Sequence, residues 1–202
     1  MSIDTRLYNG SLTREQFLFH EMKITAGLLC EGCSDEETLE RIIEDNLFQF
    51  PTERMIKNLA CVCIRRLRML PDKSLIASIA YDPVDTAKQV CLYAMMRDNR
   101  LVWEFMITVI GEKYRVQDLH FGQIDMNVFF MRLQEQDDKV ASWSDGTIKK
   151  IKSVLRRVLI ENEYIDGSKS GELKPVLITR KLENAIRECG DQMALPAFNC
   201  FY

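Results

Sequence analysis

The stretch SDGTIKKIKSVLRRVLIENEYID, residues 144–166, constrains the fold more than any other part of this 202-residue chain. Ile148, Ile151, Leu155, Val158 and Leu159 recur at helical spacing and form one apolar stripe. Ser144 precedes Asp145-Gly146-Thr147 and can cap the helix through its side-chain oxygen. At about 100° per residue, Lys149, Ser153 and Arg156 lie opposite the stripe, with Lys150, Lys152 and Arg157 flanking them. Asn162 ends the helix. Residues 163–166 then read as a short strand, 167–171 as a flexible tip, and 176–178 as the returning strand, with Pro175 tolerated at its beginning. A capped basic helix followed by a two-stranded flap is the pattern of a winged helix-turn-helix, whose usual partner is double-stranded DNA.

Upstream, the chain reads as a succession of helices. Thr13 and Gln16 have the spacing of a capping box, for a helix that runs to about Cys30 and stops at Gly32. Ser34 or Asp35 caps a second helix, through Leu47. Thr52 opens a third, with Met55, Ile56, Leu59, Val62, Cys63 and Leu67 inward, and Pro71 ends it. Further helices are expected over 74–81, after Pro83, over 101–114 and over 125–138; Asn99 breaks the run between the second and third of these. Thr179 caps a last helix with Leu182, Ala185 and Ile186 inward. The expected class is therefore mainly α: a multi-helical body over residues 1–120, then a winged helix-turn-helix over 121–202 with a small β-hairpin wing. No Pro/Gly-rich linker marks the boundary.

The overall charge is −3, which by itself argues against a generic nucleic-acid binder. Its distribution argues the other way. Residues 144–181 hold nine Lys or Arg against five Asp or Glu, whereas residues 1–143 hold seventeen against twenty-two. A basic segment on an acidic body suits local contact with phosphates. Lys149, Lys150, Ser153, Arg156 and Arg157 are the expected duplex contacts. Thr147 sits in the first turn, which approaches base edges most closely, and Lys169 and Lys174 lie where a wing meets backbone phosphates. Few of these are base-reading amides, so binding dominated by the phosphate backbone is expected. Arg65, Arg66 and Arg68 form a second basic cluster, either a solvated helix end or a further nucleic-acid patch.

Other chemistries find little support. Cys30-Glu-Gly-Cys33 has metal or redox spacing, but Cys61 and Cys63, which could complete four thiolates, lie about 200° apart on a helix. No phosphate loop, dinucleotide fingerprint or arrangement of nucleophile, base and orienter stands out, so neither a catalytic role nor a cofactor is expected. The polar start and the lack of an apolar run of roughly 18 residues speak against a signal peptide and a membrane span. Seven cysteines, an odd number, read as reduced thiols in a cytoplasm.

Two segments carry a family resemblance. YNGSLTREQFLFHEMKITAGLLCEG, from Tyr8, and WSDGTIKKIKSVLRRVLIENEYID, from Trp143, resemble the N-terminal and C-terminal parts of the BrxA family of bacterial BREX (bacteriophage exclusion) defence systems. The resemblance spans roughly residues 8–180. It implies a small, non-catalytic, all-helical protein whose winged-helix part binds double-stranded DNA and whose body is similar to the RNA-binding antitermination factor NusB. It assigns no base-contacting residue; those named above come from helix geometry. Two other functions stay open: an adaptor that docks on other BREX proteins, and RNA binding through the helical body.

Overall fold

Capping side chains and left-handed residues set where the helices begin and end. The structure, a computed structural model, describes residues 7–167 and 171–201. These divide into two compact units: Phe17–Asp98, and the described residues up to Gln16 together with those from Asn99 onward. The expected boundary near residue 120 falls inside the second of these.

In the Phe17–Asp98 unit, α1 (Phe19–Cys30) ends at Gly32, whose φ of +95° only glycine adopts readily. The amides of Gly32 and Cys33 reach back to the carbonyls of Leu29 and Leu28, a Schellman closure. Ser34 and Glu37 then form a reciprocal capping box for α2 (Asp35–Glu44). α3 (Glu53–Arg68) buries Ile56, Leu59, Val62, Cys63 and Leu67, while Met55 stays exposed. Asp72 caps α4 (Lys73–Tyr81), and α5 (Val84–Asp98) completes the unit. α1 and α5 both pack on α3 and α4, around Met22, Ala26, Ile79 and Cys91.

The expected capping box at Thr13 and Gln16 does not form. The Thr13 hydroxyl donates to the Gly10 carbonyl, closing a separate 3-10 turn (Ser11–Thr13), and α1 starts only at Phe19, after Leu18 takes a left-handed φ of 59°. Residues up to Gln16 therefore belong to the other unit.

There, Asn99 accepts from the amides of Leu101 and Val102 and caps α6 (Arg100–Phe105). α6 runs into a π-helical stretch (Met106–Gly111) and then α7 (Glu112–Arg115). Gly111 lets the closing 3-10 helix (Gln192–Phe198) approach. A Cβ at this position would meet the Ala197 amide nitrogen and Pro196 at 3.2 Å. α8 (Gln123–Gln136) presents Phe129 and Phe130 to the aromatic cluster around Phe105 and Phe121. The short α9 (Asp138–Ala141), capped by Asp137, leads to α10 (Asp145–Glu161), and α11 (Arg180–Glu188) follows.

The β-hairpin wing is not observed. Among the described residues no strand forms, and pairing is confined to an isolated antiparallel bridge between His120 and Glu172. The Phe121 amide donates to the Gly171 carbonyl at 2.8 Å and the Leu173 amide to the Leu119 carbonyl at 2.7 Å. The first expected strand is met ahead of the second, where the Lys174 amide donates to the Tyr164 carbonyl at 2.8 Å. Three local causes shorten the hairpin. Glu163 takes a φ of 62°, which turns the chain out of extended geometry. Pro175 has no amide hydrogen to donate. Beyond it Leu177 is 86% exposed, so its side chain adds no burial that would hold the return in place. Residues 168–170 lie outside the described residues.

Candidate nucleic-acid interface

α10 is anchored from within its own sequence. Its apolar stripe, Ile148, Ile151, Val154, Leu155, Val158 and Leu159, is buried. The Ser144 Oγ accepts from the Thr147 amide at 3.2 Å, as its position predicts. After the helix, Tyr164 is fully buried and its hydroxyl donates to the Ala197 carbonyl at 2.9 Å, while the Tyr114 hydroxyl donates to the Lys174 carbonyl. These bonds hold the segment that follows α10 against the rest of its unit.

The predicted contact residues fall into three groups. Lys149, Lys150 and Ser153 are exposed, and neither lysine forms an ion pair with a described residue. Arg157 is exposed but oriented: its Nε donates to the Glu161 carboxylate at 2.8 Å and its Nη1 to the Gln16 side-chain oxygen at 3.3 Å. Lys174 is exposed and pairs with Asp166 at 2.5 Å, which holds its ammonium above the usual lysine range. Arg156 is half-buried, with its guanidinium over the Phe121 ring at 6.0 Å. Thr147 is half-buried, its hydroxyl 3.0 Å from that of Ser144. Lys169 lies outside the described residues.

Both flanks of α10 are lined. On the Arg156 side, Lys152 donates to the Asn127 side-chain oxygen of α8 at 2.8 Å and sits over the Phe130 ring; partial burial pulls its ammonium below the usual lysine value. On the Arg157 side runs the segment from Gly10 to Gln16. Gly10 lies against Thr147 near the start of α10, and Gln16 reaches Arg157 near its end. Sequence reading missed this second flank, because the segment was expected to open α1. Its only local signal is the Asn9-Gly10 turn.

The second basic cluster, on α3, has a different environment. Arg65 grips Asp98 with two bonds, at 2.7 and 2.8 Å. Arg66 is 1% exposed, faces the same carboxylate at 3.6 Å, and donates to the Phe17 carbonyl at 3.2 Å. Arg68 pairs with Asp35. The three cations are thus paired with carboxylates of their own unit, Arg65 and Arg66 sharing Asp98.

The cysteines separate by burial. Cys30 and Cys61 are exposed, whereas Cys63 and Cys91 are buried; desolvation pushes the Cys63 thiol up to about 12. Among the described residues no three His, Cys, Asp or Glu side chains are grouped to hold a metal ion, and no helix is long and apolar enough to cross a membrane.

Comparison with known proteins gives the same answer over most of the chain. The BrxA family model matches residues 6–190. A BREX protein BrxA of Bacillus cereus (strain H3081.97) is 34% identical over 190 residues, covering 94% of either chain. A BREX protein BrxA of Escherichia coli O9:H4 (strain HS) is 24% identical, over 91% of this chain and 85% of that one. The crystal structure of an uncharacterized protein from Magnetospirillum magneticum superposes with a TM-score of 0.79 at 22% identity, over 95% of this chain and 97% of that one, so the fold is shared. With nearly its whole length matched by the family model and by a relative above 30% identity, the chain belongs to the BrxA family of BREX proteins.

Proposed function

We propose that this protein is a non-catalytic, duplex-DNA-binding accessory protein of a BREX phage-defence system, with α10 as the helix that enters the major groove. The observation that carries the reading is the strip Lys149, Lys150 and Ser153. It is exposed on a 17-residue helix and bears two cations that no described carboxylate neutralises. A helix with side chains is about 10–12 Å across, and the major groove is about 12 Å wide. Thr147 and Arg157 extend the strip toward either end of α10, and Lys174 serves the phosphates beside it. Residues 119–121, 164 and 171–174 supply the reduced pairing of a winged-helix unit, with α8 preceding the recognition helix. Lysines and a serine on the open strip favour phosphate contact over base readout. The test is a titration of duplex affinity against salt: each neutralised phosphate contributes about −0.9 to the slope of log K against log salt. Salt-independent or absent binding would overturn the reading.

A second reading, an adaptor that docks on other BREX proteins, is favoured by one observation. Ile124 and Met131 lie two turns apart on α8 and are 76% and 53% exposed. Co-purification that persists in a variant unable to bind duplex would support it. RNA binding through the helical body draws no support from Arg65, Arg66 and Arg68, which pair with Asp98 and Asp35.

A further inference from the structure

We infer that the segment Gly10–Gln16 forms a second phosphate-contacting ridge beside α10, with Arg14 as its contact residue. This rests on the reading that α10 meets duplex DNA. The segment lies beside α10 at two places ten residues apart: a Cβ on Gly10 would meet the Thr147 methyl at 3.7 Å, and Gln16 bonds Arg157. Ten residues span about 15 Å of helix axis, so the segment runs alongside the helix rather than crossing it. Between those anchor points the backbone is fixed locally. The 3-10 turn Ser11–Thr13 is closed by bonds from the Thr13, Arg14 and Glu15 amides to the Gly10 and Ser11 carbonyls, and Leu12 is fully buried beneath it.

That architecture leaves Arg14 exposed, with no ion pair to a described residue. It lies on the flank nearer Lys150 and Arg157; the opposite flank is occupied by α8 and residues 119–121. A helix seated in the major groove nearly fills its width, so a chain segment at the helix's side meets the phosphates of the groove wall and not the base edges. Arg14 is therefore a backbone-contact residue with no part in base choice. The Gln16 side chain has a supporting role, because its oxygen accepts from Arg157 and orients that guanidinium on the same side.

The experiment compares salt titrations of duplex binding for the full-length protein, Arg14→Glu, Arg14→Lys and Lys149→Glu/Lys150→Glu, with helicity checked by circular dichroism. Arg14→Glu is expected to weaken binding roughly three- to tenfold and to flatten the salt slope by about 0.9, and Arg14→Lys to restore both. The loss should be equal on duplexes of unrelated sequence. If Arg14→Glu binds with unchanged affinity and slope while Lys149→Glu/Lys150→Glu loses binding, the ridge is wrong and the α10 reading stands. If the unaltered protein fails to bind, or Lys149→Glu/Lys150→Glu binds as it does, the α10 reading is wrong and the ridge falls with it.

Discussion

α3 ends on Arg65, Arg66 and Arg68, and α10 carries Lys149, Lys150, Lys152, Arg156 and Arg157. Both are amphipathic helices with a positive face. In α3 each arginine meets a carboxylate: Asp98 and Asp35, the partners of Arg65 and Arg68, are both 33 residues distant in sequence. In α10, Arg156, Lys152 and Arg157 are engaged by an aromatic ring, an amide oxygen and a carboxylate, whereas Lys149 and Lys150 pair with no described carboxylate. The difference teaches that positive charge on a helix is most available to phosphate where the fold brings no carboxylate to it. A count of Lys and Arg does not distinguish the two cases.

The strongest way to break this comparison is to remove a carboxylate from the α3 cluster. Asp98→Ala leaves Arg66 buried without that counter-charge and should cost about 3 kcal/mol of stability, measured by denaturant unfolding. The same variant should leave duplex affinity per folded molecule unchanged; a gain in affinity would mean that the α3 arginines can serve nucleic acid after all. Next in size is Lys149→Glu/Lys150→Glu, which should weaken duplex binding roughly a hundredfold, about 2.7 kcal/mol, with an unchanged melting temperature. Arg156 is a poorer choice for such a test, since its stacking on Phe121 ties it to packing.

Ser144→Ala removes the cap of α10 and should cost about 1 kcal/mol, read as a lower midpoint of thermal unfolding. A loss much below that would show that the buried stripe alone holds the helix. Smallest is Asp35→Asn, which breaks a solvent-exposed pair with Arg68 and should change stability by less than about 1 kcal/mol, and less still at high salt. Alkylation gives an independent check on burial. Near neutral pH, exposed Cys61 should react readily and Cys30, whose thiol partial burial pushes up, more slowly, whereas Cys63, with its thiol pushed up to about 12, should react only after unfolding.

Much of the fold was legible in residue order because the signals are local. Ser34 with Glu37, Gly32, Asn99 and Ser144 each act within a turn of helix, and each stands where its type predicts. The apolar stripe of α10 was legible for the same reason, since its periodicity is a property of the helix itself. The wing was over-read: the apolar and turn residues around 163–178 suit a hairpin, but Glu163 and Pro175 withhold the geometry and the donor that a ladder needs. The first helix was begun too early, because the Thr13 hydroxyl takes the Gly10 carbonyl and caps no helix.

The amino-acid order alone therefore determined most of the helices, several of their caps, the buried side of α10 and the family, all of which depend on neighbours within a few residues or on similarity along the chain. The tertiary structure decided which cations are open, where the segment up to Gln16 lies, and that Arg65, Arg66 and Arg68 pair with Asp98 and Asp35. Those outcomes depend on contacts such as Arg157 with Gln16, 141 positions apart. No local pattern encodes such a contact, because electrostatic pairing acts through space and the chain is brought together only by burial of its apolar stripes.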